Sequence, residues 1–373
     1  MNQESNAGNR AGPGGVSRRD FIKYCTVMAA SLGLPLGAGK SIAQAVTSPK
    51  RPPVIWLSGQ GCTGCTETLL RPGHMTLENV LLNLISLDYN ETLNSGAGHQ
   101  AEHFRERSMQ ENAGKFVLVV EGSIPAKDGG IYCQVAGRPF LETVREAADK
   151  AGAIIAIGSC ASWGGIPSSG PNPTGAKGAP QILSDKTVVS VPGCPPNGYN
   201  FLSTVAYYIT YGRVPALDNQ GRPQFAYGRL IHENCERRPH FDAGRFADKF
   251  GDRGHQLGYC LYKLGCKGPV TYNNCSTRTY CDVGVWPVNS GHPCFGCSEP
   301  EVGFHVPQFT EAEITEASVI TPSATPAPID PERGGGASAT TAALAGGAVG
   351  AALGAGAVAA RKLRSETEDD SSS

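Results

Sequence analysis

The chain has 373 residues, a formal net charge of −1, 48 Gly, 27 Pro and 13 Cys, with 40% hydrophobic and 17% charged residues. The length suits two or three domains with a sizeable core, and the near-neutral balance gives no basic footprint for nucleic-acid binding. Thirteen cysteines are too many for thiols that merely pack, so they point to disulfides, metal ligands or redox groups.

Residues 17–23 read Ser-Arg-Arg-Asp-Phe-Ile-Lys, an apolar run follows from Tyr24 to about Ala38, and Ala43-Gln44-Ala45 offers a cleavage site. Residues 1–45 therefore read as a twin-arginine signal peptide, which carries Cys25 away with it. That route exports folded proteins, often with a cofactor already in place. The remaining cysteines then meet a reducing compartment first, which argues against a disulfide framework.

Residues 52–225 read as an α/β domain of flavodoxin-like, parallel-sheet type. Short apolar runs at 54–58, 116–120, 153–157 and 188–191 are the expected strands. Helices are expected from Thr76 to Leu87, from Pro139 to Lys150, and from about Asn200 to Tyr211. Ligands in such folds bind at the carboxyl ends of strands. Cys62 and Cys65 follow the first run, Cys160 the third and Cys194 the fourth. Distant in sequence, they would converge on one rim. Four thiolates there suit a zinc ion or a [4Fe–4S] cluster, whereas Cys62-Thr-Gly-Cys65 alone could be a redox disulfide or a zinc knuckle. Cys133 lies on no such rim and reads as a buried free thiol.

Residues 226–310 carry seven cysteines but no amphipathic period, so this stretch needs staples to fold. His232, Cys235, Cys260 and Cys266 make a complete four-ligand set. Cys275, Cys294 and Cys297 make three. Cys281 either completes that set, or is a spare thiol while Pro287 fills the fourth position. Three ligands would favour a [3Fe–4S] cluster. Residues 311–339 read as a linker. Residues 340–360 are uncharged over about the length of a bilayer-crossing helix, and Arg361, Lys362 and Arg364 set the tail 361–373 inside. Gly346, Gly350 and Gly354 give that helix a close-packing face.

These residues resemble one family closely, the small subunit of nickel–iron hydrogenases of the membrane-bound, periplasm-facing uptake type. The resemblance covers about residues 53–300. It rests on Gly61-Cys62-Thr63-Gly64-Cys65, Glu121-Gly122-Ser123-Ile124-Pro125, Gly158-Ser159-Cys160, Pro192-Gly193-Cys194-Pro195, His232-Glu233-Asn234-Cys235, Cys260 to Pro269 and Gly291 to Pro300. It implies a proximal [4Fe–4S] cluster on Cys62, Cys65, Cys160 and Cys194. It implies a medial [3Fe–4S] cluster on Cys275, Cys294 and Cys297, with Pro287 at the blocked position. It implies a distal [4Fe–4S] cluster on His232, Cys235, Cys260 and Cys266.

The resemblance further implies an electron-transfer subunit with no nickel ligands and no catalytic residue of its own. Its partner would be a large subunit that splits hydrogen at a nickel–iron centre, and its electrons would leave through a membrane cytochrome b to quinone. In some members two extra proximal cysteines confer oxygen tolerance; here Gly64 and Gly165 stand at those positions, so an ordinary proximal cubane is expected. Glu67 and Glu121, near the same rim, read as hydrogen-bonding or helix-start residues, with a proton path as the alternative. Two rival readings are a quinone-reductase-type electron-transfer subunit, which shares the α/β half but lacks the His232–Cys297 set, and a zinc- or disulfide-stapled exported binding protein.

Overall fold

The computed structural model describes residues 18–31, 33–35, 37–46, 51–73 and 84–314. Nine strands occur among them: β1 Pro53–Ser58, β2 Ser86–Asn90, β3 Val117–Glu121, β4 Ile124–Pro125, β5 Gln134–Val135, β6 Arg138–Pro139, β7 Ala153–Ile157, β8 Ala176–Lys177 and β9 Val188–Val191. Five form the central sheet in the order β2-β1-β3-β7-β9, and every pairing is parallel. Counted in chain order, that is the 2-1-3-4-5 arrangement of flavodoxin-like sheets. β4 with β8, and β5 with β6, make small antiparallel pairs.

The β3 residues Val-Leu-Val-Val-Glu are all buried, as a central strand covered on both faces requires. Side chains alternate between two cores. Val54, Trp56, Val117, Val119, Ile155 and Ile157 face Phe201, Leu202 and Val205. Ile55, Leu57, Leu118, Val120 and Ile154 face Met109, Phe140 and Val144 on the other side. Each such side chain contributes about 1.5–3 kcal/mol on burial. The helix Gly198–Tyr211 begins at Asn197, whose side chain accepts from Tyr199 N, and stops at Gly212 with φ 64°. The helix Phe140–Lys150 begins directly after Pro139.

The expected helix from Thr76 to Leu87 needs correction at its end. Ser86 and Leu87 belong to β2, the sheet-edge strand, while 74–83 lie outside the described residues. The apolar spacing of Leu77 to Ile85 runs straight into a strand whose own residues, Ser-Leu-Asp-Tyr-Asn, give little alternation. Two further helices, Arg18–Ser31 and Ala38–Val46, occupy the expected signal segment. Cys25, Ile42 and Ala43 are buried there in the same core as Phe201 and Leu202.

From 226 to 314 the chain is turns and short helices, the longest of them Arg238–Asp242. Its core comprises Ile231, Ala247, Leu261, Leu264, Trp286 and Val288 together with Cys266 and Cys294. Arg222, nearly fully buried, ties this region to the sheet by donating to Ser298 O (2.9 Å) and Glu299 Oε1 (2.7 Å). Asn197 Nδ2 does the same through Arg278 O (3.2 Å) and Thr279 O (3.0 Å). Among the described residues no helix is long and apolar enough to cross a membrane. The linker 311–339 lies largely, and the segment 340–360 and tail 361–373 wholly, outside them.

Candidate functional site

Register aligns the carboxyl ends of four strands. Ser58 pairs with Glu121, Glu121 with Ile157, and Ile157 with Val191. Each strand then runs within a few residues to the rim. Cys62 sits in the loop after β1, Cys65 in the one-turn helix Gly64–Glu67, Cys160 in the helix Gly158–Trp163 after β7, and Cys194 in the loop after β9. The four come together. Burial first, then Glu121 and the thiols of Cys160, Cys194 and Cys62, push the Cys65 thiol well above its usual value. Cys160 is pushed up to about 11, by burial and then by Cys194.

Glycine is needed where the strands turn. Gly158 has φ +85°, and a Cβ there would collide with Cys65 Sγ. The two positions expected to matter for oxygen also lie against rim thiols. A Cβ at Gly64 would stand 3.2 Å from Cys62 Sγ, and one at Gly165 2.6 Å from Cys160 Sγ.

Glu121 ends β3 with its carboxylate under the Cys62–Cys65 loop. It accepts from Trp56 Nε1 (2.8 Å), Cys65 N (3.1 Å), Thr66 N (3.2 Å) and Thr66 Oγ1. A buried carboxylate spending its lone pairs on four donors is an anchor for the loop backbone. Glu67 is exposed and pairs with Arg71 one turn on. Ser159 is a residue the sequence reading missed. Its N donates to Gly193 O (2.9 Å), its Oγ accepts from Gly193 N (3.1 Å) and donates to Cys297 O (2.6 Å). It thereby joins the Cys160 and Cys194 loops to the second region. Only its place in Gly-Ser-Cys could have flagged it.

Cys194, Cys275, Cys294, Cys297 and Pro287 share the wall of one cavity of about 540 Å³. Cys275 is pushed up to about 12 by burial and then by Cys294. Cys281 is elsewhere. It is buried in the core of the sheet region, with its Sγ 3.6 Å from Asn197 Oδ1. Cys133 is half-buried rather than buried, packed against the opposite core.

His232, Cys235, Cys260 and Cys266 line a second, small cavity. Burial first, with Arg238 adding to it, holds the His232 imidazole at about 4, so the ring is neutral near pH 7 and able to ligate. Its Nε2 is buried with no hydrogen-bond partner, and its ring packs edge-on to Phe241. Cys235 and Cys260 are each pushed up to about 12, chiefly by burial.

The sets adjoin one another. Cys194 adds to the burial and the Cys275 thiol that push Cys297 up, and Cys294 N donates to Cys266 Sγ at 3.3 Å. All thirteen cysteines are free thiols. Among the described residues no three His, Cys, Asp or Glu side chains are gathered tightly enough to hold a single metal ion. Thiols crowded and desolvated in this way resist becoming thiolates unless cationic metal sits among them.

The comparisons with known proteins agree with one another. Residues 227–310 match the family described as the C-terminal part of the NiFe/NiFeSe hydrogenase small subunit, and residues 62–208 match NADH ubiquinone oxidoreductase, 20 Kd subunit. The chain is 53% identical over 357 residues to the hydrogenase-2 small chain of Escherichia coli (strain K12), covering 95% of each. It is 47% identical over 287 residues to the periplasmic [NiFe] hydrogenase small subunit of Solidesulfovibrio fructosivorans, covering 77% of this chain and 90% of that one. The solved structure of recombinant [NiFeSe] hydrogenase from Desulfovibrio vulgaris Hildenborough superposes with a TM-score of 0.65 at 36% identity, over 71% of this chain and 99% of that one.

Fold and comparisons together define an iron–sulfur electron-transfer subunit. The chain belongs to the small-subunit family of nickel–iron hydrogenases. It is the electron-transfer partner of the large subunit, and hydrogenase activity belongs to the pair.

Proposed function

We propose that this chain holds three clusters in a row. Cys62, Cys65, Cys160 and Cys194 would hold a proximal [4Fe–4S] cluster. Cys275, Cys294 and Cys297 would hold a medial [3Fe–4S] cluster, with Pro287 offering no fourth donor. His232, Cys235, Cys260 and Cys266 would hold a distal [4Fe–4S] cluster. Bound there, the clusters would supply a line of one-electron sites between the large subunit and an acceptor. The observation that carries this reading is that the sets adjoin: Cys194 shares the wall of one cavity with Cys275, Cys294 and Cys297, and Cys294 N donates to Cys266 Sγ at 3.3 Å. These two links make three separate ligand sets into one continuous series.

The protein's own residues prepare each end. Glu121 fixes the loop carrying Cys62 and Cys65. His232 brings a neutral donor where a thiolate would bring charge, which raises the potential of its cluster relative to four thiolates. Cys133 and Cys281 have no place among the ligands.

The Ser17–Lys23 motif and Ala43-Gln44-Ala45 support export by the twin-arginine route, and a periplasmic relative at 47% identity is in keeping with it. The uncharged segment 340–360 with its basic flank supports a C-terminal anchor, and with it a cytochrome b partner leading to quinone. The accompanying division is signal 1–45, sheet domain 52–225, cluster domain 226–310, linker 311–339, anchor 340–360 and tail 361–373.

His232→Cys tests the relay. The nickel centre of the partner should still assemble and still exchange hydrogen isotopes. Electron delivery to an external acceptor should slow about tenfold or more, a barrier change of at least about 1.4 kcal/mol. Loss of nickel-centre assembly in this variant would contradict the assigned role.

A further inference from the structure

The expected export signal is folded against the rest of the chain. Its helices Arg18–Ser31 and Ala38–Val46 form a hairpin, closed by Leu34 N to Ala29 O (2.9 Å) and Ala38 N to Pro35 O (2.8 Å). Gly33, with φ +67°, makes the turn out of the first helix. The two helices meet where Gly39 lies against Thr26. A Cβ at Gly39 would stand 2.5 Å from Thr26 Oγ1 and 2.7 Å from its Cα, so glycine permits the close approach.

Each helix spends one face on the core. Cys25 and Ala29 on the first, and Ala38, Ile42 and Ala43 on the second, are buried, with Ile22 and Leu34 packed beside them. Lys23, Val27, Lys40 and Ser41 are exposed. The buried face joins the core that holds Phe201, Leu202, Val205 and Ala206, and the second helix packs directly on the helix Gly198–Tyr211. Apolar residues that a membrane would take are here already out of water. Ala43-Gln44-Ala45 lies inside the second helix, with Ala43 buried. Proteases favour exposed, irregular chain, so the cleavage site is hidden as well. The sheet keeps cover of its own without the segment, since Trp56 packs edge-on to Phe201 at 5.3 Å.

We propose that residues 18–46 are a latch docked in cis on the Gly198–Tyr211 face, which withholds the segment's apolar residues and its cleavage site until the hairpin swings out. The inference rests on the reading of residues 1–45 as a removable signal. The second helix has nine residues, too few to persist alone in water, so it stays folded only while docked. Release therefore exposes the apolar stretch and unwinds the cleavage site together. Access of any reagent or protease then follows the population of the released state.

Cys25 reports that state. Burial pushes its thiol up to about 12, so it reacts slowly until the hairpin leaves. The test is N-ethylmaleimide labelling of Cys25, located by peptide mass, alongside limited proteolysis with elastase, which cuts after small residues. Both use the uncleaved chain purified with its large subunit. In wild type both reactions should run at least about tenfold slower than after unfolding in urea. Gly39→Val wedges the helices apart, and Ile42→Ser removes a buried anchor. Each should speed both reactions about tenfold or more, with iron content unchanged. Ser41→Val, on the exposed side, should change neither. Wild-type Cys25 as reactive as in urea would overturn the proposal, and so would Gly39→Val and Ile42→Ser chains that react at wild-type rates. Loss of iron in both variants would make the segment part of the body's core and overturn it as well. A membrane-extracted chain that still carries residues 1–45 is a distinct result: it takes down the signal reading, and the latch with it, even where Cys25 is protected.

Discussion

The sheet region and the region from 226 to 314 hold their cysteines by opposite means. In the first, two apolar cores flank a five-stranded sheet, and no candidate ligand belongs to either core, although Cys65 packs against one of them from the rim. In the second, Cys266 and Cys294 are part of the core itself, with Cys235 and Cys275 packed against it. The same donor type is therefore an attachment in one region and a building material in the other. A sheet can carry a cluster because it folds without one, whereas a stretch of turns with so small an apolar core depends on what its thiols bind.

The sharpest way to break this comparison is to remove one ligand from each region and follow amide hydrogen exchange along the whole chain. Cys294→Ala should cost the turn region its protection, by roughly a hundredfold or more around Leu261 and Val288. Cys62→Ala should lose iron at the rim while β3 and β7 stay as protected as before. Equal losses in both regions would mean that the sheet also depends on its cluster. A smaller effect sharpens the boundary. Asn197 caps the helix Gly198–Tyr211 and holds the Arg278 and Thr279 carbonyls. Asn197→Ala should cost about 1–3 kcal/mol, lowering Tm by several degrees with iron content unchanged. Loss of iron in that variant would show the two regions to be less separable than their cores suggest.

The same contrast explains what could be read before the structure. β1, β3, β7 and β9 are short apolar runs that end at Gly, Glu or Pro, and their buried residues leave few alternatives. The helices after Pro139 and Asn197 carry their own start signals. β2 was not legible because Ser86, Asp88 and Asn90 interrupt any apolar run, unlike β9 at the other edge, which is Val-Val-Ser-Val. The helix Gly98–Glu111 was missed because it buries only Arg105, Ser108 and Met109, too few for a period to show.

In the site, the cysteines and His232 announced themselves by type and spacing. Glu121 also reads as a hydrogen-bonding residue near the rim, as its contacts with Trp56, Cys65 and Thr66 bear out, but its partners were not legible. Ser159 looks like no more than the neighbour of a cysteine. Their roles come from contacts 34 to 138 residues away in sequence.

The central claim is that this chain carries three clusters in series, and a cluster inventory tests it most directly. Purified with its large subunit, the chain should be brown. It should hold about 11 irons of its own and show one [3Fe–4S] signal alongside two [4Fe–4S] signals. A correctly folded, colourless chain carrying zinc or no metal, or an iron-loaded chain without the three-iron signal, would contradict the account.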